Sequence, residues 1–158
     1  NRSISRLVMS ISTVYDALVN KADTLFPSKN RLHNPYELSD NPELLMKDSW
    51  GLKVSSANQT VIEYCNLSVT RLYTFTLVRQ FASVGNKEIA FDTVTKNLLE
   101  DQQTLLNNLY SPSEIGVPND IDQIEIDSIS GIEFMQADQK KYLFCELTIN
   151  ITLSDAII

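Results

Sequence analysis

The sequence predicts an α+β fold in which two helices pack on one face of a mostly antiparallel sheet of four to five strands. Two observations carry this reading. Apolar residues recur at three- and four-residue steps in two stretches, and two-residue alternation runs through two others. The order is helix, loop, two or three strands, helix, two strands, so a regular β-α-β alternation is absent. Helices with one apolar stripe and a sheet with one apolar face bury both most economically in two layers.

Each element has its own signal. Ile4, Leu7, Val8, Ile11, Val14, Tyr15, Leu18, Val19, Ala22 and Leu25 mark a long amphipathic helix, with Ser3 as N-cap and Pro27 as its stop. Residues 27–49 break the pattern with Pro27, Pro35, Pro42 and several Asn and Asp, predicting an extended loop with a short helical turn at 42–47. A loop of that length reads either as an arm laid on a neighbour or as surface cover. Trp50 to Ser55 predicts a short strand. Leu67, Val69, Arg71, Tyr73, Phe75, Leu77, Arg79 and Phe81 alternate with polar residues in a strand long enough to bend or to outrun the domain body.

Asp92 is the expected cap of the second helix, with Phe91 as its hydrophobic staple. Val94, Leu98, Leu99, Leu105, Leu106 and Leu109 are its expected apolar face, Pro112 ends it, and the segment on to Asp120 reads as a loop. The chain closes on a hairpin over 121–153. Its first strand, Ile124 to Ile132, is expected to bulge near Ser130-Gly131, and Leu143 to Leu153 alternate on its second.

The 158 residues fit one domain, 1–158, with an apolar fraction of 43% and a charged fraction of 21%. No apolar run is long enough to span a membrane, and Asn1 to Val8 shows no signal-peptide core. The net charge of −7 is unevenly placed. Acids and bases balance over 1–110, whereas nine acids face only Lys140 and Lys141 over 111–158. Such a region repels nucleic acid, because phosphate binding needs clustered Lys and Arg. It reads either as a solubilising surface or as a wall past which DNA slides without sticking. Asp120, Asp122, Glu125, Asp127, Glu133 and Asp138 are the candidate lining acids.

Catalytic signatures are missing from the sequence. His33 is the sole histidine and has no Cys beside it, so a His/Cys zinc site is not expected, and no metal or other cofactor is implied. Gly51, Gly85, Gly116 and Gly131 are too scattered to cradle a phosphate, and no G-x-S-x-G occurs. The pairs Asp120/Asp122 and Glu125/Asp127 would share a strand face, which suits a cation or a glycosidase, but a solvated face suits them better. The expectation is a protein that is not an enzyme. Cys65 and Cys145 read as buried, reduced residues, and the Asn-X-Ser/Thr sequons at Asn58, Asn66 and Asn150 as chance. Arg71 and Arg79 interrupt the apolar face of the long strand. They read equally as snorkelling side chains and as a subunit interface, with Tyr73 and Trp50 as further interface candidates. Tyr64 and Tyr110 read as anchors or as core.

In the order and lengths of these elements, the chain resembles the tail terminator proteins of long-tailed, non-contractile bacteriophages. The resemblance spans the helix 4–25, the Trp50-Gly51-Leu52-Lys53-Val54 strand, the long strand 67–82, the helix 92–110 and the closing hairpin. It implies a small structural subunit of a hexameric ring at the head-proximal end of the tail in the virion, assembled in the host cytoplasm. Such a ring caps the tail tube, ends its polymerisation and meets a head-connector protein. Its implied partners are further copies of itself, the tail tube protein and the connector, with DNA passing unbound and no membrane. The competing readings are another head–tail joining or tube component, and a small-ligand binding domain with a deep apolar pocket. An enzyme resting on the acid pairs is the third.

Overall fold

A computed structural model describes residues 2–32, 35–36, 48–61, 66–81, 87–115, 123–137 and 140–156, with side chains for the greater part of them. The elements run α1 (Arg2–Leu25), β1 (Asn30–Leu32), β2 (Asp48–Val61), β3 (Asn66–Phe81), α2 (Lys87–Asn108), α3 (Pro112–Ile115), β4 (Gln123–Ile129), β5 (Glu133–Ala137) and β6 (Lys140–Ala156). The fold is α+β, with one six-stranded sheet ordered β1-β2-β3-β6-β4 and β5 also paired to β6. Every pairing is antiparallel except β1 with β2.

The two strongest alternations in the sequence are neighbours in the sheet. β3 and β6 pair in unbroken register from Asn66↔Ala156 to Phe81↔Lys141. In that register Tyr73 meets Ile149, Phe75 meets Leu147 and Leu77 meets Cys145, so the odd positions of both strands share one face. Trp50 and Leu52 of β2 join them, and α1 and α2 cover that face with Val14, Leu18, Ala22, Leu98, Leu105 and Leu109. Burying each such Leu contributes roughly 1.5–3 kcal/mol. The face away from the helices is mainly polar in its middle. Thr70 and Thr152 meet hydroxyl to hydroxyl at 3.0 Å, and Thr74 and Thr148 at 2.9 Å. At one end of that face Leu32, Val78 and Tyr142 form a smaller apolar cluster with Met135 and Phe144.

Several boundaries differ from the expected ones. α1 begins at Arg2, so Ser3 lies inside the helix. α2 begins at Lys87 rather than at Asp92. Lys87, Glu88 and Ala90 are good helix formers and carry the helix back past the expected cap. Phe91 and Asp92 are therefore internal and exposed, so the staple is not formed. Leu99 is 50% exposed, because it stands about 100° around the helix from buried Leu98. The sequence after α2 is not all loop: Pro112 opens the single turn α3, which places Ile115 in the core.

β2 does not stop at Ser55. A register shift between Val54 and Ala57 absorbs an extra residue, and the strand continues to Val61. The expected break at Ser130-Gly131 is present, and it divides β4 from β5 along the same edge of β6. Ser130 closes the gap: its N–H donates to the Glu146 carbonyl at 2.8 Å, and its hydroxyl accepts from the Glu146 N–H at 2.7 Å. The described part of the 27–49 loop lies on this chain's own β2. β1 pairs with Ser49–Gly51, a Cβ on Gly51 would stand 2.6 Å from the Pro35 Cβ, and the Tyr36 hydroxyl bonds both Val54 N–H and C=O. Those residues are surface cover, and the expected turn at 42–47 lies outside the described residues. No described helix is long and apolar enough to cross a membrane.

Candidate functional site

Two groups of acids among the described residues have opposite surroundings. The first is an internal ion network at the end of the sheet where β2 begins. Asp101 lies on the inward stripe of α2, three residues after Leu98 and four before Leu105, and is only 8% exposed. It accepts from Lys29 Nζ at 2.9 Å, from Arg79 Nε at 2.9 Å and from Arg79 Nη2 at 3.2 Å. Asp48 completes the group, 3.0 Å from Arg79 Nη1 and 4.0 Å from Lys29 Nζ. Two cations and two anions are thereby neutralised where solvent is scarce. Burial alone would lower the Arg79 pKa. The hydrogen bond and charge of Asp101, with the charges of Asp48 and Glu100, outweigh it and hold the guanidinium above its ordinary value.

Cys145 lies beside this network. Its thiol is pushed up to about 12, chiefly by burial and then by Asp101 and Glu146, against an opposing pull from Lys29. It is a free, buried thiol that stays protonated at neutral pH and so is a poor nucleophile. Cys65 lies outside the described residues, as does His33.

The second group stands on the outer ribbon β4–β5. Every β4 residue except half-buried Ile124 is exposed, as are Glu133 and Phe134 of β5. Glu125 pairs in register with Asn150, and Glu133 with Phe144; both partners are even positions of β6, on the face away from the helices. The expected match of Glu125 with Asp127 fails. A register shift between Ile126 and Ser128 takes Asp127 out of the alternation, so Glu125 shares its face with Ser128. No Lys or Arg among the described residues forms an ion pair with Glu125, Asp127 or Glu133. Gln123 donates to Glu125. Glu146, inside the same face, is held by Lys53 and by the Thr76 hydroxyl at 3.1 Å. Asp120, Asp122 and Asp138 lie outside the described residues.

On the helix side, the same ribbon leaves apolar surface uncovered. Ile126 is 39% exposed, Ile129 46% and Phe134 55%, although each sits opposite a buried β6 residue: Ile149, Leu147 and Leu143. β4 is the last strand of the sheet, and among the described residues no strand pairs with its outer side.

The four interface candidates are largely engaged within the chain. Trp50 is fully buried against Phe75, with the Arg31 guanidinium 5.5 Å from its ring centroid. Tyr73 is 2% exposed, and burial raises its pKa against a lowering by Arg71. Arg79 belongs to the ion network and is partly exposed. Arg71 is half-buried on the helix side of β3, and its Nε has no acceptor among the described residues. Tyr110, by contrast, is exposed and its hydroxyl lies 3.5 Å from Glu114.

Asp101 and Lys29 were not legible as a site. The available signal was Asp101 itself, an acid on the apolar stripe of α2, set against an Arg on the apolar face of a strand. Among the described residues no three His, Cys, Asp or Glu side chains gather closely enough to hold a metal ion. A groove of about 480 Å³ runs between α1 and α3, lined by Thr13, Asp16, Asn20, Lys21, Thr24 and Glu114 among others. It is open to solvent and lined mostly by polar and charged residues, unlike the deep, enclosed apolar pocket expected of a small-ligand domain. No protein-family model matches the chain, and no curated protein matches it.

Proposed function

We propose that the protein is a structural ring subunit of a bacteriophage tail, the terminator that caps the tail tube and meets the head connector. The observation that carries the reading is the placement of the acids. The chain's excess negative charge belongs to residues 111–158, and its described members Glu125, Asp127 and Glu133 stand exposed on one edge ribbon without a cation. Asp48 and Asp101, from the first 110 residues, are instead paired with Arg79 and Lys29. Exposed acids of one sign on one ribbon, repeated around a ring, make a wall that DNA passes without adhering. The order of elements that resembles tail terminators supports the same reading.

The test is the mass of the protein in solution together with negative-stain imaging. A closed ring of roughly six subunits with an open channel is the expected result, since identical subunits joined head to tail close when their rotation allows. Tubes of stacked rings would favour a tube component instead, and a monomer at every concentration would overturn the reading.

A further inference from the structure

Among the described residues, two of the sheet's open edge stretches differ sharply in chemistry. One is the outer side of β4, Gln123–Ile129, seven residues with Glu125 and Asp127 among them. The other is the far half of β2. Its near half is closed, by β1 at Ser49–Gly51 and by the Tyr36 hydroxyl at Val54. Beyond that point lies the sequence Ser55-Ser56-Ala57-Asn58-Gln59-Thr60-Val61, of which Ala57–Val61 pairs with β3 on one side, and among the described residues with no strand on the other. It too is seven residues long, and it carries no charge. An open edge presents unpaired backbone donors and acceptors to any strand that fits it.

We propose that a second copy fills each edge: β4 of one subunit pairs with Ser55–Val61 of β2 in the next, continuing the sheet from subunit to subunit. The inference rests on the ring reading above and assigns its contact. Charge selects the pairing. Two β4 edges laid together would set Glu125 and Asp127 against the same acids of the partner, which is destabilising. The β2 segment has no charged residue in its sequence and so adds no like-charge repulsion. The two edges also sit on different strands of one sheet, so the contact is head to tail and leaves each subunit able to bind two neighbours, as a ring requires. Exposed Ile126 and Ile129 then lie beside the joint, where a neighbouring strand covers part of their surface.

Edge-blocking proline variants in the full chain test this, because proline removes a backbone N–H and is excluded from a paired strand. On β2 the adjacent pair Asn58→Pro and Gln59→Pro is made, and on β4 the adjacent pair Ile124→Pro and Glu125→Pro. Neighbouring residues point their N–H groups to opposite sides of a strand, so one member of each pair leaves the internal ladder intact. The member with native circular dichroism and unfolding midpoint is carried forward. The wild type is expected to form rings and each blocked variant alone to be monomeric. A one-to-one mixture of the β2-blocked and β4-blocked proteins should give dimers and nothing larger, because each mixed pair retains one intact joint. Rings in either blocked variant would overturn the edge contact while the ring reading stands. Dimers of the β4-blocked variant alone would show pairing of like edges and overturn it, as would a mixture that stays monomeric. A wild type that never associates would remove the ring and the contact together.

Discussion

Asp101 and Glu125 have the same chemistry and opposite fates. Asp101 is buried and bonded by Lys29 and Arg79, while Glu125 stands on the outermost strand with Gln123 as its one donor among the described residues. The difference is location in the sheet. Asp101 faces the end of β3, where two cations come from separate elements, so with Asp48 it ties the post-α1 segment, β2, β3 and α2 together. Glu125 faces water on a strand that has a neighbour on one side only. One region uses charge to hold the fold, and the other leaves charge exposed to solvent.

Breaking the first region should have the largest effect. Asp101→Ala leaves Lys29 and Arg79 with one acid between them in a poorly solvated place, and should cost about 3–5 kcal/mol in urea unfolding. A loss below about 1 kcal/mol would mean that water reaches the network. Alkaline titration probes the same end. The folded Cys145 pKa is raised, so its contribution is fully present below the ordinary thiol value of about 9. Stability should fall as pH climbs from there through about 12, and Cys145→Ala should remove that part of the decline.

The loop cover over β2 gives intermediate effects. Gly51→Ala drives a methyl into the Pro35 ring and should cost roughly 1–3 kcal/mol by thermal unfolding. Tyr36→Phe removes both hydrogen bonds to Val54, should cost about 1 kcal/mol, and should speed exchange of the Val54 amide more than that of Leu77. The smallest effect belongs to the outer ribbon. Glu125→Gln with Asp127→Asn should move stability by less than about 0.5 kcal/mol, because neither carboxylate holds a cation in place. A substantial loss there would erase the contrast between the regions.

Much of this was legible in the sequence because one-dimensional periods report which face of an element is apolar. The alternation of Leu67 to Phe81 and of Leu143 to Leu153 predicted two long strands, and the stripe from Val14 to Leu25 predicted α1. Leu98, Leu105 and Leu109 read as apolar positions and are core. The same signal failed for β1, since three residues are too few to show a period, and for the start of α2, where good helix formers outran the cap. It also misplaced Asp127, because a bulge shifts parity by one residue without changing composition.

By itself, the sequence determined the α+β class, the long strands, the apolar stripe of each helix and the gathering of excess acid after residue 110. These are local or summed properties and need no knowledge of neighbours. Only the tertiary structure decided that Arg79 and Lys29 neutralise Asp101 and Asp48 inside. It also decided that Trp50 and Tyr73 are core and that Glu125, Asp127 and Glu133 stand on an open edge. The reason is physical: whether a charge is paired and whether a strand is an edge depend on what the fold places beside them. Residues 22 to 72 positions apart in the chain make those neighbours.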